Sequence, residues 1–334
     1  MIDFLIKMME VDSTSGKEEN IIDTIKDFYN PVKASLEIQE ISNGKHNLFY
    51  KWGMPKIIFC SHFDTVPPYI PPSFNDKRIS GRGSCDAKGQ IAVMSEVCLQ
   101  LEKEGKTNFG LLMLAGEEVG SYGALTANKL IIGCNYVIVG EPTQNKLIKA
   151  GKGNILFDFT IRGRSAHSGY PKEGDDAIER FRLFLNGLRN VKFEEDELLG
   201  ITTYNVGCLS SENAHNVIPS LVTFKIFFRT TFATHNIIES SVKKICNDNI
   251  EYNIKYGDEP IMFHTVEGFE TDKVSYGSDA PELYNLGKRL LYGPGSIQTA
   301  HTKEEHILMS DIHRAVEDLK NIYYKLEEEI ESED

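Results

Sequence analysis

"KIIFCSHFDTVPPY", residues 56–69, decides how the chain is read. The apolar run 57–60 is short, follows Pro55 and is closed by Pro67 and Pro68, the signature of a buried strand stopped by a turn. It runs out into His62 and Asp64. Two further stretches repeat the arrangement. "FGLLMLAGEE" (109–118) ends on Glu117 and Glu118, and "NYVIVGEP" (135–142) ends on Glu141. Near-continuous apolar strands suit a parallel sheet covered on both faces.

Between and around these strands lie helical patterns. Residues 2–10 have helical apolar spacing, and "STSGKEENIIDTIKDFY" (13–29) reads as a turn, a Ser or Thr cap and an amphipathic helix. "AKGQIAVMSEVCLQLEKEG" (87–105) and "SYGALTANKLI" (121–131) complete the strand–helix alternation of an α/β sheet. From about residue 153 the texture changes. "GNILFDFTIRGRSA", "TYNVGCLSS" and "SLVTFKIFFRTTF" alternate apolar and polar residues, as in antiparallel strands with one wet face, and two helices interleave with them. The expected architecture is α/β. A mixed or parallel-sheet main domain (1–152 plus 259–334) carries an inserted ferredoxin-like α+β domain (153–258), read as a lid or dimerisation domain. The last helix is expected over 303–329, with the acidic end "KLEEEIESED" as a solvated, fraying terminus.

Bulk properties exclude several functions. The 334 residues carry a net charge of −13, which disfavours nucleic acid and anionic membranes as partners. Six scattered cysteines without a CxxC pair suit a reduced, cytoplasmic protein. No apolar stretch has the length of a membrane span, and the first residues do not resemble a signal peptide. "GRGSCDAKG" (81–89) is rich in glycine, but Asp86 sits where a phosphate loop would need N–H groups.

His62, Glu117, Glu118 and Glu141 follow strands, and Asp86 lies in the Gly-rich loop before a helix. Singly, each is an ordinary loop residue. In an open α/β sheet the carboxyl ends of the strands line one crevice. Several carboxylates and a histidine converging there, with no Lys or Arg at the strand ends, call for cations. Imidazole with carboxylates suits zinc or a similar first-row ion. In "HFD", Asp64 would accept a hydrogen bond from the ring nitrogen of His62 that faces away from metal.

"SHFDTVPP", "GRGSCDAKGQIA", "GEEVGSYGA", "VGEPT", "GRSAHSGYP", "HNVIP" and "AHTKEEHI", in that order, resemble the dinuclear zinc amidohydrolases and exopeptidases. That family includes acetylornithine deacetylase, succinyl-diaminopimelate desuccinylase, aminoacylase and the glutamate-releasing carboxypeptidases. The resemblance implies two Zn2+ ions, with Co2+ or Mn2+ able to substitute. His62 and Glu141 would hold one ion, Glu118 and His301 the other, and Asp86 would bridge them. Glu117 would be the general base and Asp64 the partner of His62. His167 would steady the oxyanion from the partner subunit of a homodimer. Asn216, Arg229 and Gly295 of "GPGS" would receive the substrate carboxylate. The expected reaction is hydrolysis of an N-acyl amino acid, first N-acetyl-L-ornithine, with succinyl-diaminopimelate, N-acetyl-lysine or a carboxypeptidase substrate as alternatives. A non-catalytic binding protein is disfavoured, because every ligand type and the base are present.

Overall fold

The computed structural model describes all residues except 43, 132 and 334. The elements run in the order α1 (Ile2–Met9), α2 (Ile22–Tyr29), β1 (Ser35–Glu40), β2 (His46–Trp52), β3 (Ile57–His62), β4 (Ser73–Phe74), β5 (Arg78–Ser80), α3 (Lys88–Lys103), β6 (Phe109–Leu114), α4 (Tyr122–Leu130), β7 (Tyr136–Val139) and β8 (Leu147–Gly151). There follow β9 (Gly153–Arg162), α5 (Ala177–Asn190), β10 (Thr203–Ser210), β11 (Leu221–Thr230), α6 (Ile238–Ile245) and β12 (Ile250–Asp258). The chain closes with β13 (Ile261–Met262), β14 (Thr271–Val274), β15 (Lys288–Leu291), β16 (His306–Leu308) and α7 (Met309–Glu333).

Two compact units result: Met1–Lys149 with Phe263–Asp272 and Ser278–Asp334, and Ala150–Met262 with Lys273–Gly277. The first is built on a six-stranded sheet of order β1-β2-β6-β3-β7-β15. β6, β3, β7 and β15 are parallel neighbours, while β1 and β2 add an antiparallel edge. β3, β6 and β7 are buried along their whole length. That explains their unbroken apolar sequences, since both faces must meet apolar partners. α3 is buried through most of its length, and α7 places Ile312, Ala315, Leu319, Ile322, Tyr323 and Leu326 in the same core at helical spacing. In the second unit β10-β11-β9-β12 form an antiparallel sheet, with α5 and α6 supplying the other half of a Phe-rich core. The fold is α/β with an α+β unit, and no helix among the described residues is long and apolar enough to cross a membrane.

Three local expectations are corrected. "KEEHIL" (303–308) is not the start of the last helix. His306–Leu308 pairs with β5 instead, placing buried Ile307 opposite Ile79, and α7 begins at Met309. Ser13–Ser15 do not cap α2 with a side chain. They serve the loop after β3: Ser13 Oγ donates to the Phe63 carbonyl at 2.6 Å, and Ser15 Oγ to Asp64 Oδ2 at 3.3 Å. The acidic terminus is tied down in part. Ile330 is buried, and Glu329 accepts from Tyr136 Oη at 2.7 Å, while Asp334 lies outside the described residues.

Candidate active site

Three turns at the carboxyl edge of the sheet present the acidic cluster. His62 ends β3, Glu117 and Glu118 follow β6, and Glu141 follows β7. Gly116 adopts φ +83°, the left-handed region that favours glycine, and so turns the chain between β6 and the two glutamates. Asp86 and His301 arrive differently. The loop from β5 to α3 holds Asp86, and His301 lies shortly before β16, the antiparallel neighbour of β5. The Asp86 loop therefore follows not a strand of the parallel sheet but β5, in a small antiparallel sheet with β4 and β16.

His62 is buried, and its Nδ1 lies 3.0 Å from the Asp64 main-chain carbonyl. Donation there puts the proton on Nδ1 and leaves a lone pair on Nε2. The Asp64 carboxylate is 3.6 Å from Nδ1 and has another task. Its Oδ1 accepts from the main-chain N–H of Gly116 at 2.9 Å and of Glu117 at 3.2 Å, and its Oδ2 from that of Glu118 at 3.2 Å. The expected carboxylate–imidazole bond is thus replaced by a carbonyl–imidazole bond, because the carboxylate is engaged by the turn that carries the two glutamates.

Among the described residues His62 Nε2 finds no hydrogen-bond partner, although it is buried. Asp86 Oδ1 lies 3.2 Å from it, Glu141 Oε1 3.8 Å and Glu117 Oε2 3.9 Å. On the other side of Asp86, Oδ2 is 3.1 Å from His301 Nε2, which also meets Glu118 Oε1 at 3.0 Å. Two sets of donor atoms share Asp86: His62–Asp86–Glu141 and Asp86–Glu118–His301, each within 4.8 Å. Glu117 joins His62 and Glu118 in a third set of the same span.

The electrostatics match such crowding. Burial pushes Glu117 and Glu141 well above the usual carboxylate range, and the neighbouring carboxylates add to it. The Asp86 and Glu118 carboxylates push His301 up to about 10. His62 is also raised, since its acidic neighbours outweigh the burial that opposes its charge. Protons must balance the cluster when no cation does. An orphaned imidazole nitrogen facing three carboxylates fits a divalent ion, whose charge would take the place of those protons.

The structure also shows what the sequence reading passed over. Asp279, from "GSDAP", is buried, and its carboxylate oxygens find no hydrogen-bond partner of good geometry among the described residues. Burial pushes it up to about 7, against the pull of His62 and Ser121. Glu305 and Arg82 form a buried ion pair beside the Asp86 loop. Lys88 is buried too, with Nζ donating to the Met8 and Val11 carbonyls at 2.9 Å each. Only the turn residues around Asp279 and the doubled acid at 304–305 could have drawn attention to them.

Of the remaining expected residues, Gly295 lies in the loop after β15 with φ +84°, and a Cβ there would come within 2.7 Å of the Cys85 Cβ. In that loop the Gly293 N–H is already engaged by Thr143 Oγ1 at 3.0 Å, so it is withdrawn from the anion-binding role expected of "GPGS". His167, Asn216 and Arg229 belong to the second unit. There the chain at 166–168 pairs with that at 216–218, setting His167 and Asn216 on adjoining loops. His167 Nδ1 accepts from the Gly169 N–H at 3.0 Å, and Arg229 stacks over the Phe227 ring at 4.6 Å.

Comparison with known proteins agrees along the chain. A peptidase M20 domain-containing protein of Schizosaccharomyces pombe is 32% identical over 94% of this chain and 82% of its own. A probable carboxypeptidase of Aspergillus clavatus is 32% identical over 95% of this chain and 86% of its own. Among solved structures, a tripeptidase from Staphylococcus aureus superposes with a TM-score of 0.83 at 20% identity, covering 96% of both chains. An M20 family metallo-carboxypeptidase from Sulfolobus solfataricus superposes with a TM-score of 0.72 at 14% identity, covering 96% of this chain and 97% of its own. The sequence profile of peptidase family M20/M25/M40 matches residues 58–325, so the chain belongs to that family of hydrolases.

Proposed function

We propose that this protein hydrolyses an amide bond next to a free carboxylate, with His62, Asp86 and Glu141 holding one Zn2+ and Asp86, Glu118 and His301 another. The observation that carries the reading is the pair of donor sets that share Asp86. Co2+ or Mn2+ would serve in place of Zn2+. Ions held there supply Lewis acidity to the scissile carbonyl and make water more acidic. The protein's own groups do the rest. His62 presents the Nε2 lone pair because Nδ1–H is tied to the Asp64 carbonyl. Glu117 takes a proton from the attacking water and returns it to the leaving amine nitrogen.

The scissile bond is best placed in a short peptide, at its C-terminal residue. Relatives that align with more than nine-tenths of the chain are named probable carboxypeptidases. N-acetyl-L-ornithine is the second reading, supported by the resemblance of "HFDTVPP" to acetylornithine deacetylase. Asn216, Arg229 and Gly295 would receive the substrate carboxylate. His167 would act from the partner subunit of a homodimer. These roles rest on the resemblance.

Hydrolysis of a panel decides among the substrates: dipeptides and tripeptides with free or amidated C-termini, N-acetylornithine, N-acetyl-lysine, succinyl-diaminopimelate and acyl-glutamates. Release of the C-terminal residue only from peptides with a free carboxylate is the expected result. Turnover of amidated peptides at the same rate would sink the carboxypeptidase reading. Preference for N-acetylornithine would establish the second reading.

A further inference from the structure

Glu305 lies in the short loop between His301 and β16, and its carboxylate is 1% exposed. It reaches the loop that carries Asp86. Oε1 accepts from the main-chain N–H of Gly83 at 2.9 Å, of Cys85 at 3.4 Å and of Asp86 itself at 3.4 Å. Oε2 meets Arg82 Nη1 at 2.5 Å. The Glu305 main-chain carbonyl adds a fifth tie, accepting the Gly81 N–H at 3.0 Å.

Arg82 extends the same junction. It is 2% exposed, and its guanidinium also reaches the Pro68 carbonyl and the Thr302 carbonyl, each at 3.4 Å. Pro68 belongs to the loop that leaves His62, and Thr302 is the residue after His301. A planar guanidinium offers five N–H donors in a fixed fork, so it can hold several acceptors at once where an ammonium cannot. One buried ion pair thus joins the loops of His62, Asp86 and His301. The distances among those residues, 3.2 Å from His62 Nε2 to Asp86 and 3.1 Å from His301 Nε2 to Asp86, depend on how these loops lie.

We infer that the Glu305–Arg82 pair is a positioning element for the metal site: Glu305 fixes Asp86 through the main chain of its loop, and Arg82 sets that loop against those of His62 and His301. Neither side chain touches the ions or substrate. This inference rests on the metal-site reading above. The groups around metal ligands that orient them typically change metal affinity by about 10–100-fold when replaced. Glu305→Gln replaces an ionised acceptor with an amide whose NH2 faces Arg82, donor against donor. Glu305→Asp retains the charge but is one methylene too short to hold Arg82 and the Gly83 N–H together.

The test is a calorimetric titration of chelator-stripped full-length protein with Zn2+, with thermal unfolding of the same ion-free samples. Wild type should bind two ions per chain. Glu305→Gln should bind at least one of them about 10–100-fold more weakly. Glu305→Asp should fall between the two. The same Zn2+ affinities in wild type and both variants would overturn the inference. So would a lower melting temperature of the ion-free variants with unchanged affinity, because that marks a purely structural pair. If Glu305→Gln does not fold, Glu305→Asp decides; failure of both to fold also makes the pair structural and overturns the assignment. Absence of Zn2+ binding by folded wild type would overturn the metal-site reading itself, and this inference with it.

Discussion

Asp64 holds Glu117 by its backbone, not by its side chain: the Glu117 N–H donates to Asp64 Oδ1 at 3.2 Å, while the Glu117 carboxylate faces His62 Nε2 at 3.9 Å. The carboxylate that sets the turn and the carboxylate proposed to move the proton are separate, and their variants should differ.

Asp64→Asn should lower kcat and weaken metal binding together. An amide offers one acceptor oxygen where the carboxylate now serves three main-chain N–H groups, at 116, 117 and 118. The expected loss is about 10–100-fold in each, read from steady-state kinetics and metal content of the purified variant. Wild-type kcat with full metal content would show that the turn holds without Asp64.

Glu117→Gln should keep both ions and lose about 10²–10⁴-fold in kcat, the range for removal of a general base. A change confined to KM would make Glu117 a binding group. Asp86→Ala should lose metal as well as rate, because both donor sets share Asp86. Chelation of wild type should abolish activity, and Zn2+, Co2+ or Mn2+ should restore it; undiminished turnover in the stripped protein would end the metal-dependent mechanism.

Acid should weaken the second unit partly through Asp196. Burial raises its proton affinity, but the N–H groups of Leu198, Leu199 and Ala233 outweigh it and hold the carboxyl below its usual range. A group depressed in the folded state stabilises above its unfolded value, near 4, and that stability is lost as pH falls through the folded value. Asp196→Ala should therefore destabilise the protein at pH 7 and do so progressively less below pH 4. Thermal unfolding at a series of pH values checks this; a difference that grows toward low pH would reverse the sign and refute it.

If His167 acts from a partner subunit, mixing inactive His167→Ala with inactive Glu117→Gln should recover activity after subunit exchange. The ceiling is about a quarter of wild type, because half the dimers are mixed and each of those has one intact site. No recovery, with exchange shown by mass spectrometry of the mixture, would place His167 in its own chain's chemistry or outside it.

What was legible in the sequence followed periodicity and termination. β3, β6 and β7 announce themselves because strands buried on both faces leave no room for polar residues, and the histidine and acids at their ends then stand out. Strands of two or three residues carry no period. β5 and β16 were invisible for that reason, and with them the route by which Asp86 meets His301. Spacing places His62 and Asp64 near one another but does not say that the Asp64 carbonyl, at 3.0 Å, lies nearer the ring than its carboxylate, at 3.6 Å. Ser13 and Ser15 look like cap residues locally; only the folded chain shows that the loop after β3 competes for their hydroxyls.

The tie between Asp86 and Glu305 spans 219 residues of chain. A ribosome adding about 5–20 residues per second makes Asp86 about 10–40 seconds before Glu305 and His301 follow. From Glu141 until His301, the growing chain holds His62, Asp86, Glu117 and Glu141 as an acidic cluster without His301. The second unit is synthesised complete within the same interval. A nascent chain arrested before His301 lacks a member of the Asp86–Glu118–His301 donor set and, on the proposed mechanism, cannot yet hold the second ion.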